Sequence, residues 1–296
     1  MSGQEPVVRD WQKDCVYLIQ FPRAGSVPSI SPFCLKLETW LRIAQIEYQN
    51  VDNQFKFTSR KKQVPFVELN GRQVADTNFI VSELSRIFDV DIDEHLSERD
   101  MADFRAYQSL VEDSLFLHHN LSFLATEDGV IGHFEGFRKL IFRTYGIAKL
   151  KRSYKNKHRG HSASEVEMIT KKNLKALSIF LGSKPWTRRS SVHMCMFFYA
   201  PCNKDIHMYL ESECRNLVDY LRNVKDIYWP DWNECTAKLS LATRPNRTGG
   251  NTLSTVESLT APKVLTPVPR EPDPETHSDP RGDIEIFDVE EPTSRE

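Results

Sequence analysis

Several classes of protein need features that this chain does not have. No apolar run approaches the ~20 residues of a membrane-spanning helix, and the opening MSGQEPVVRDWQKD has no apolar stretch of the kind that directs secretion. Membrane insertion and export are therefore not expected. The six cysteines, Cys15, Cys34, Cys195, Cys202, Cys214 and Cys235, form no CxxC pair, and no HxxxH spacing accompanies them. They read as reduced thiols of a cytoplasmic protein without a bound metal. An excess of one charge is missing too. The 39 Lys and Arg face 41 Asp and Glu, a formal net charge of −2, so no global field attracts nucleic acid or an anionic surface. Nucleic acid is not an expected partner, and any electrostatic contact has to be local. No fixed-period repeat marks a solenoid.

What is present is an ordinary globular composition, 40% hydrophobic and 27% charged over 296 residues, enough for about two domains. It is unevenly spread. From Cys235 to the end, 62 residues hold 8 of the 16 prolines and one aromatic, Phe287. Such a segment buries too little apolar surface to offset chain entropy, so 235–296 is read as a disordered, acidic, Pro-rich tail. Between Glu271 and Glu296 ten acidic residues stand against Arg281 and Arg295, and Ile284-Glu285-Ile286-Phe287-Asp288-Val289 alternates apolar and acidic side chains. This alternation is either a strand for a partner's sheet edge or part of a solvated tail.

After a flexible start, 1–13, hydrophobic periodicity predicts β then α: Val16 to Phe21 as a strand, then Phe33, Leu37, Trp40, Leu41 and Ala44 on one helical face. Tyr48 to Val51 makes a second strand. Val64 to Leu69 and Arg72 to Ala75 flank Asn70-Gly71, a strong two-residue hairpin signal. Asp76 or Thr77 can cap a helix with the apolar stripe Phe79, Ile80, Leu84, Ile87 and Phe88. Beyond Asp89 only helices are predicted: one capped by Ser97, one from Glu165 to Gly182, and one over Ile206 to Val224. The boundaries are 14–90 for the α/β domain and 91–234 for the all-α domain.

This organisation resembles the glutathione S-transferase fold, whose first domain is thioredoxin-like. Ser31-Pro32-Phe33-Cys34 opens the first helix, Val64-Pro65 stands where thioredoxin-fold proteins have a cis-proline, and Asp76-Thr77 opens the helix after the hairpin. The fuller stretches from Ser31 to Arg42 and from Lys62 to Gly71 are similar to the failed axon connections family, relatives of the metaxins. That resemblance spans about residues 14 to 234. It implies a binding or adaptor protein of axonal development, with homodimerisation open. The alternatives are a glutathione-dependent transferase and a metaxin-like component of mitochondrial outer-membrane import, which would bring peripheral mitochondrial association.

For the transferase alternative, the resemblance implies that Ser31 stabilises a glutathione thiolate at the helix N-terminus, where backbone N–H groups and the helix dipole favour an anion. Cys34 is either a weak catalytic candidate or a small buried hydrophobe, and with serine at position 31 it cannot close a CxxC disulfide. Val64, presented by Pro65 if that bond is cis, would hold the ligand's backbone. Asp76 and Thr77 would hold its γ-glutamyl end, although an Asp-Thr pair before a helix is also a plain cap. Glutathione is the one cofactor that this resemblance implies. Two departures stand out: 187–200 is shorter than the family's habit, and His193 replaces an expected acid. Finally, Arg138, Lys139, Arg143, Lys149, Lys151, Arg152, Lys155, Lys157 and Arg159 crowd one segment without an acid among them. The segment is either a solvated helix end and loop or a contact for acidic lipid headgroups or an acidic protein partner.

Overall fold

The computed structural model describes residues 5–94, 96–115, 130–149, 152, 161–182, 199, 204–237 and 239–241. The chain forms two compact units, 1–262 and 263–296, and every described residue belongs to the first. The alternating segment at Ile284, most of the divergent stretch 187–200, and Lys151, Lys155, Lys157 and Arg159 lie outside the described residues.

A four-stranded sheet opens the fold. Strand β1 (Val16–Gln20) leads through a loop to helix α1 (Pro32–Ile43), and β2 (Tyr48–Asp52) returns parallel to β1, with Val16 opposite Tyr48. Strands β3 (Phe66–Leu69) and β4 (Arg72–Ala75) complete the order β2-β1-β3-β4, with β3 antiparallel to both of its neighbours. Asn70 and Gly71 at φ +51° and +73° make the predicted turn. A Cβ at Gly71 would also stand 3.1 Å from the partly exposed Trp11 indole, which would have to shift slightly to admit it. Asp76 then caps α2 (Thr77–Phe88).

Two apolar layers cover the sheet. On one face Val8, Tyr17, Ile19, Val51 and Phe66 cluster. Here the N–H groups of Val7 and Val8 donate to the two carboxylate oxygens of buried Glu68, at 2.9 and 3.0 Å. Part of the opening segment expected to be flexible is thus anchored on the sheet, since Glu68 must find donors once buried. The other face packs on α1, whose residues from Cys34 to Ile43 are all buried, not only the apolar face seen in the sequence.

Helices follow, and no strand occurs among the described residues after Ala75. Ser97 and Asp100 form a capping box for α3 (Glu98–Ser109), which runs on as a π-helical stretch, Leu110–Leu115. Ile131–His133 forms a 3-10 turn, and α4 (Gly136–Ile141) passes into a second π-helical stretch, Phe142–Gly146. Ser162 and Glu165 box the start of α5 (Ala163–Leu181). The single helix expected over Ile206 to Val224 is two: α6 (Lys204–Glu213) and α7 (Arg215–Tyr228), broken at fully buried Cys214. Beside the break Asn216 donates to the Ser178 carbonyl at 2.8 Å, and both halves pack on α5. A short α8 (Trp232–Ala237) ends the helical part; the tail expected from Cys235 therefore begins later, since Cys235 to Ala237 are helical and Leu241 is buried. One core joins sheet and helices, from Val16, Leu18, Leu37 and Trp40 to Leu177, Leu221 and Trp229.

Candidate functional site

Strand register brings the predicted residues to one end of the sheet. Ile19 lies opposite Phe66, and Phe66 opposite Ala75, so Val64-Pro65 and Asp76 flank neighbouring rungs near the end of β1. Because β2 lies parallel to β1, α1 runs back along the sheet, and its N-terminus at Ser31 lies at that same end. Topology alone therefore assembles Ser31, Val64, Pro65, Asp76 and Thr77 from three separate stretches of chain.

Ser31 is the N-cap of α1, with extended backbone, and its side chain makes no capping hydrogen bond. Its N–H donates to the Ser29 hydroxyl at 3.2 Å. Pro32 follows at the position where a missing N–H costs nothing. Cys34 is fully buried. Burial pushes its thiol up to about 11, against hydrogen bonds from the Phe21 backbone and the Ser31 and Ser29 hydroxyls. Such a thiol keeps its proton at neutral pH and packs as a small apolar group. The Val64-Pro65 bond is cis, with Pro65 buried and Val64 half-buried.

Asp76 stands at φ +81°, ψ 122°, and its carboxylate accepts from the Asn78 N–H at 3.0 Å. The cap reading of Asp76 is met directly. Thr77, only 7% exposed, begins the helix behind it. A non-glycine residue held at the dihedral angles of Asp76 costs about 1–3 kcal/mol, and such strain collects at binding and catalytic sites.

Two polar clusters that the sequence did not single out hold this end in place. In the first, Lys36 of α1 donates to Asn78 Oδ1 at 2.9 Å and to Glu112 Oε1 at 2.7 Å. Gln108 donates to the same two acceptors at 2.9 and 2.7 Å. The first turn of α2 is thereby tied to α1 and to the α3 region, beside a cavity of about 90 Å³.

The second cluster surrounds Glu38, which is fully buried. Arg23, from the loop that leads to Ser31, forks both carboxylate oxygens at 2.6 and 2.7 Å and also donates to the Pro28 carbonyl. Gln20, Tyr48 and Asn50 donate to the same carboxylate. Burial by itself would raise the Glu38 carboxyl, but Arg23 above all, with Arg42 and Gln20, holds it at about 2. Arg42 in turn forks Asp231 at 2.6 and 2.9 Å and lies 3.7 Å over the Trp229 ring. The Trp229 indole N–H donates to Thr39 at 2.8 Å. A one-faced helical pattern leaves Lys36, Glu38 and Arg42 in solvent, whereas in the fold all three are buried because α1 lies between two layers.

A family model described as the glutathione S-transferase N-terminal domain matches residues 32–128. The solved glutathione transferase from Phanerochaete chrysosporium is 11% identical, with a TM-score of 0.50 over 72% of this chain and 97% of that one. A rice glutathione transferase solved in complex with glutathione is 15% identical, covering 78% of this chain and 92% of that one at a TM-score of 0.45. The protein has the glutathione S-transferase-like fold, a thioredoxin-like sheet domain followed by helices. Failed axon connections from Drosophila melanogaster is 33% identical over 260 residues, 78% of this chain. The chain is a homologue of Failed axon connections, and it spans 62% of that relative's length. No helix among the described residues is long and apolar enough to cross a membrane.

Proposed function

We propose that the chain is a binding protein of the Failed axon connections type, acting with protein partners in axonal development. In this reading the glutathione S-transferase-like scaffold receives a small carboxylate-bearing ligand, glutathione or a peptide end, without turning it over. The observation that carries this is the chemistry at the start of α1: a hydroxyl at Ser31, with the thiol of Cys34, one turn into the helix, fully buried and held protonated. Among the described residues, thiol exchange has no accessible nucleophile at that helix end. Binding is a different matter, because the N-terminus of α2, set by strained Asp76 and braced through Asn78, favours a carboxylate.

A second reading, glutathione conjugation with Ser31 as thiolate stabiliser, is favoured by the Ser31 hydroxyl being unused as a cap. One experiment separates them: calorimetric titration of the full chain with reduced glutathione, followed by a conjugation assay with a generic aryl halide. Heat of binding without conjugation above the uncatalysed rate is expected. Conjugation that falls in Ser31→Ala would establish the transferase instead. No heat at several millimolar glutathione would remove glutathione as the ligand and leave protein capture as the function.

A further inference from the structure

The stretch from Gly136 to Lys149 is continuously helical and lies at the surface. One side is held down. Phe142 packs against the core and meets Phe134 at 5.1 Å, and Phe134 and His133 lie 5.3 and 5.4 Å from Phe55, in the loop after β2. Gly146 makes this seat possible, because a Cβ there would fall 2.6 Å from the Phe142 ring.

The outer side has an unusual composition. Leu140 is 58% exposed, Ile141 46% and Tyr145 71%, with Ile141 and Tyr145 about one turn apart. Isolated exposed apolar residues are ordinary, but three within six positions on one helical stretch are a patch. Arg143, Lys149 and Arg152, all within seven residues of Tyr145 in the chain, are exposed as well. From Glu135 to Glu165 the sequence holds no other acid, while nine Lys and Arg fall between Arg138 and Arg159. Apolar side chains, an aromatic ring with a polar tip and a cationic surround make up the chemistry of a helix lying in a bilayer interface.

We propose that this helical face docks on an anionic lipid surface. Leu140, Ile141 and Tyr145 enter the boundary between headgroups and acyl chains, and the basic residues meet the acidic headgroups. An acidic protein would satisfy the cations but offers no reason for the exposed apolar trio. A neutral bilayer would satisfy the trio alone. The inference is independent of whether the Ser31 end of the sheet binds glutathione.

The test is co-sedimentation of the full chain with phosphatidylcholine vesicles, with and without phosphatidylserine at about a third of the lipid. Binding only to the phosphatidylserine vesicles, released by high salt, is expected. The variants Leu140→Ser/Ile141→Ser/Tyr145→Ser and Arg143→Glu/Lys149→Glu/Arg152→Glu should each weaken it about tenfold or more. All six positions are exposed, so unchanged melting curves are expected to show that both variants fold. Failure of the wild-type chain to sediment overturns the proposal. So does undiminished binding by the serine variant, or capture by soluble polyglutamate as strong as by vesicles, either of which would point to an acidic protein partner.

Discussion

Replacing Glu38 by Gln takes one negative charge out of a site that faces Arg23 and Arg42, both about 5% exposed. Breaking a buried pair in this way leaves a cation without its partner and is expected to cost about 3–5 kcal/mol, read by chemical denaturation. The same residue sets an acid limit. Its folded carboxyl lies at about 2, below the ordinary carboxylate value near 4.5, so its contribution is complete above about 4.5 and is lost as the pH falls toward 2. Melting temperatures of the wild-type chain should drop through that window, and the drop should flatten in Glu38→Gln. A curve of unchanged slope in the variant would mean that other groups govern acid unfolding. With its thiol near 11, Cys34 should stay unlabelled by iodoacetamide in the native protein at neutral pH and be labelled after denaturation, as mass spectrometry of its peptide can show. Rapid native labelling would place the thiol within reach of solvent and reopen its chemistry.

The caps and turns of the elements are local in origin, and for that reason they were legible. Asn70-Gly71, Ser97 as a cap, and Asp76 before Thr77 each announce a geometry that a few neighbouring residues enforce, and each forms. The break at Cys214 was not legible, because the apolar stripe runs through it unchanged and the tie between Asn216 and Ser178 comes from a different helix. Asp76 shows how a local signal conceals a cost. Asp76→Ala loses the cap, about 1 kcal/mol, and keeps a Cβ at φ +81°. Asp76→Gly loses only a few tenths as a cap and relieves about 1–3 kcal/mol of strain. Urea unfolding should therefore rank glycine at or above the wild type and alanine below it, while both variants lose whatever ligand the α2 N-terminus holds. Glycine and alanine destabilising the chain equally would show that Asp76 is not strained in solution.

Across the whole molecule, the order of elements and the meeting of Ser31, Pro65 and Asp76 at one sheet end could be read from pattern and motif. The charged clusters could not, because they exist only where α1 is enclosed between the sheet and the helices. Arg42 is the clearest case. It donates to Tyr48 on the sheet side and to Asp231 and the Tyr228 carbonyl on the helical side, with Trp229 stacked beneath it. Burial would raise the Asp231 carboxyl, yet the bond and charge of Arg42 bring it below its ordinary value, so both partners are ionised in the fold. Arg42→Ala should then loosen the helical part from the sheet. Scanning calorimetry is expected to show one transition in the wild type, and a loss of about 3–5 kcal/mol with a broadened or split transition in the variant. Arg222, paired on the surface with Glu211 and Asp219, provides the contrast, since Arg222→Ala should stay within about 1 kcal/mol of the wild type. Equal effects of the two substitutions would mean that the continuous apolar core, rather than this guanidinium, makes sheet and helices unfold together.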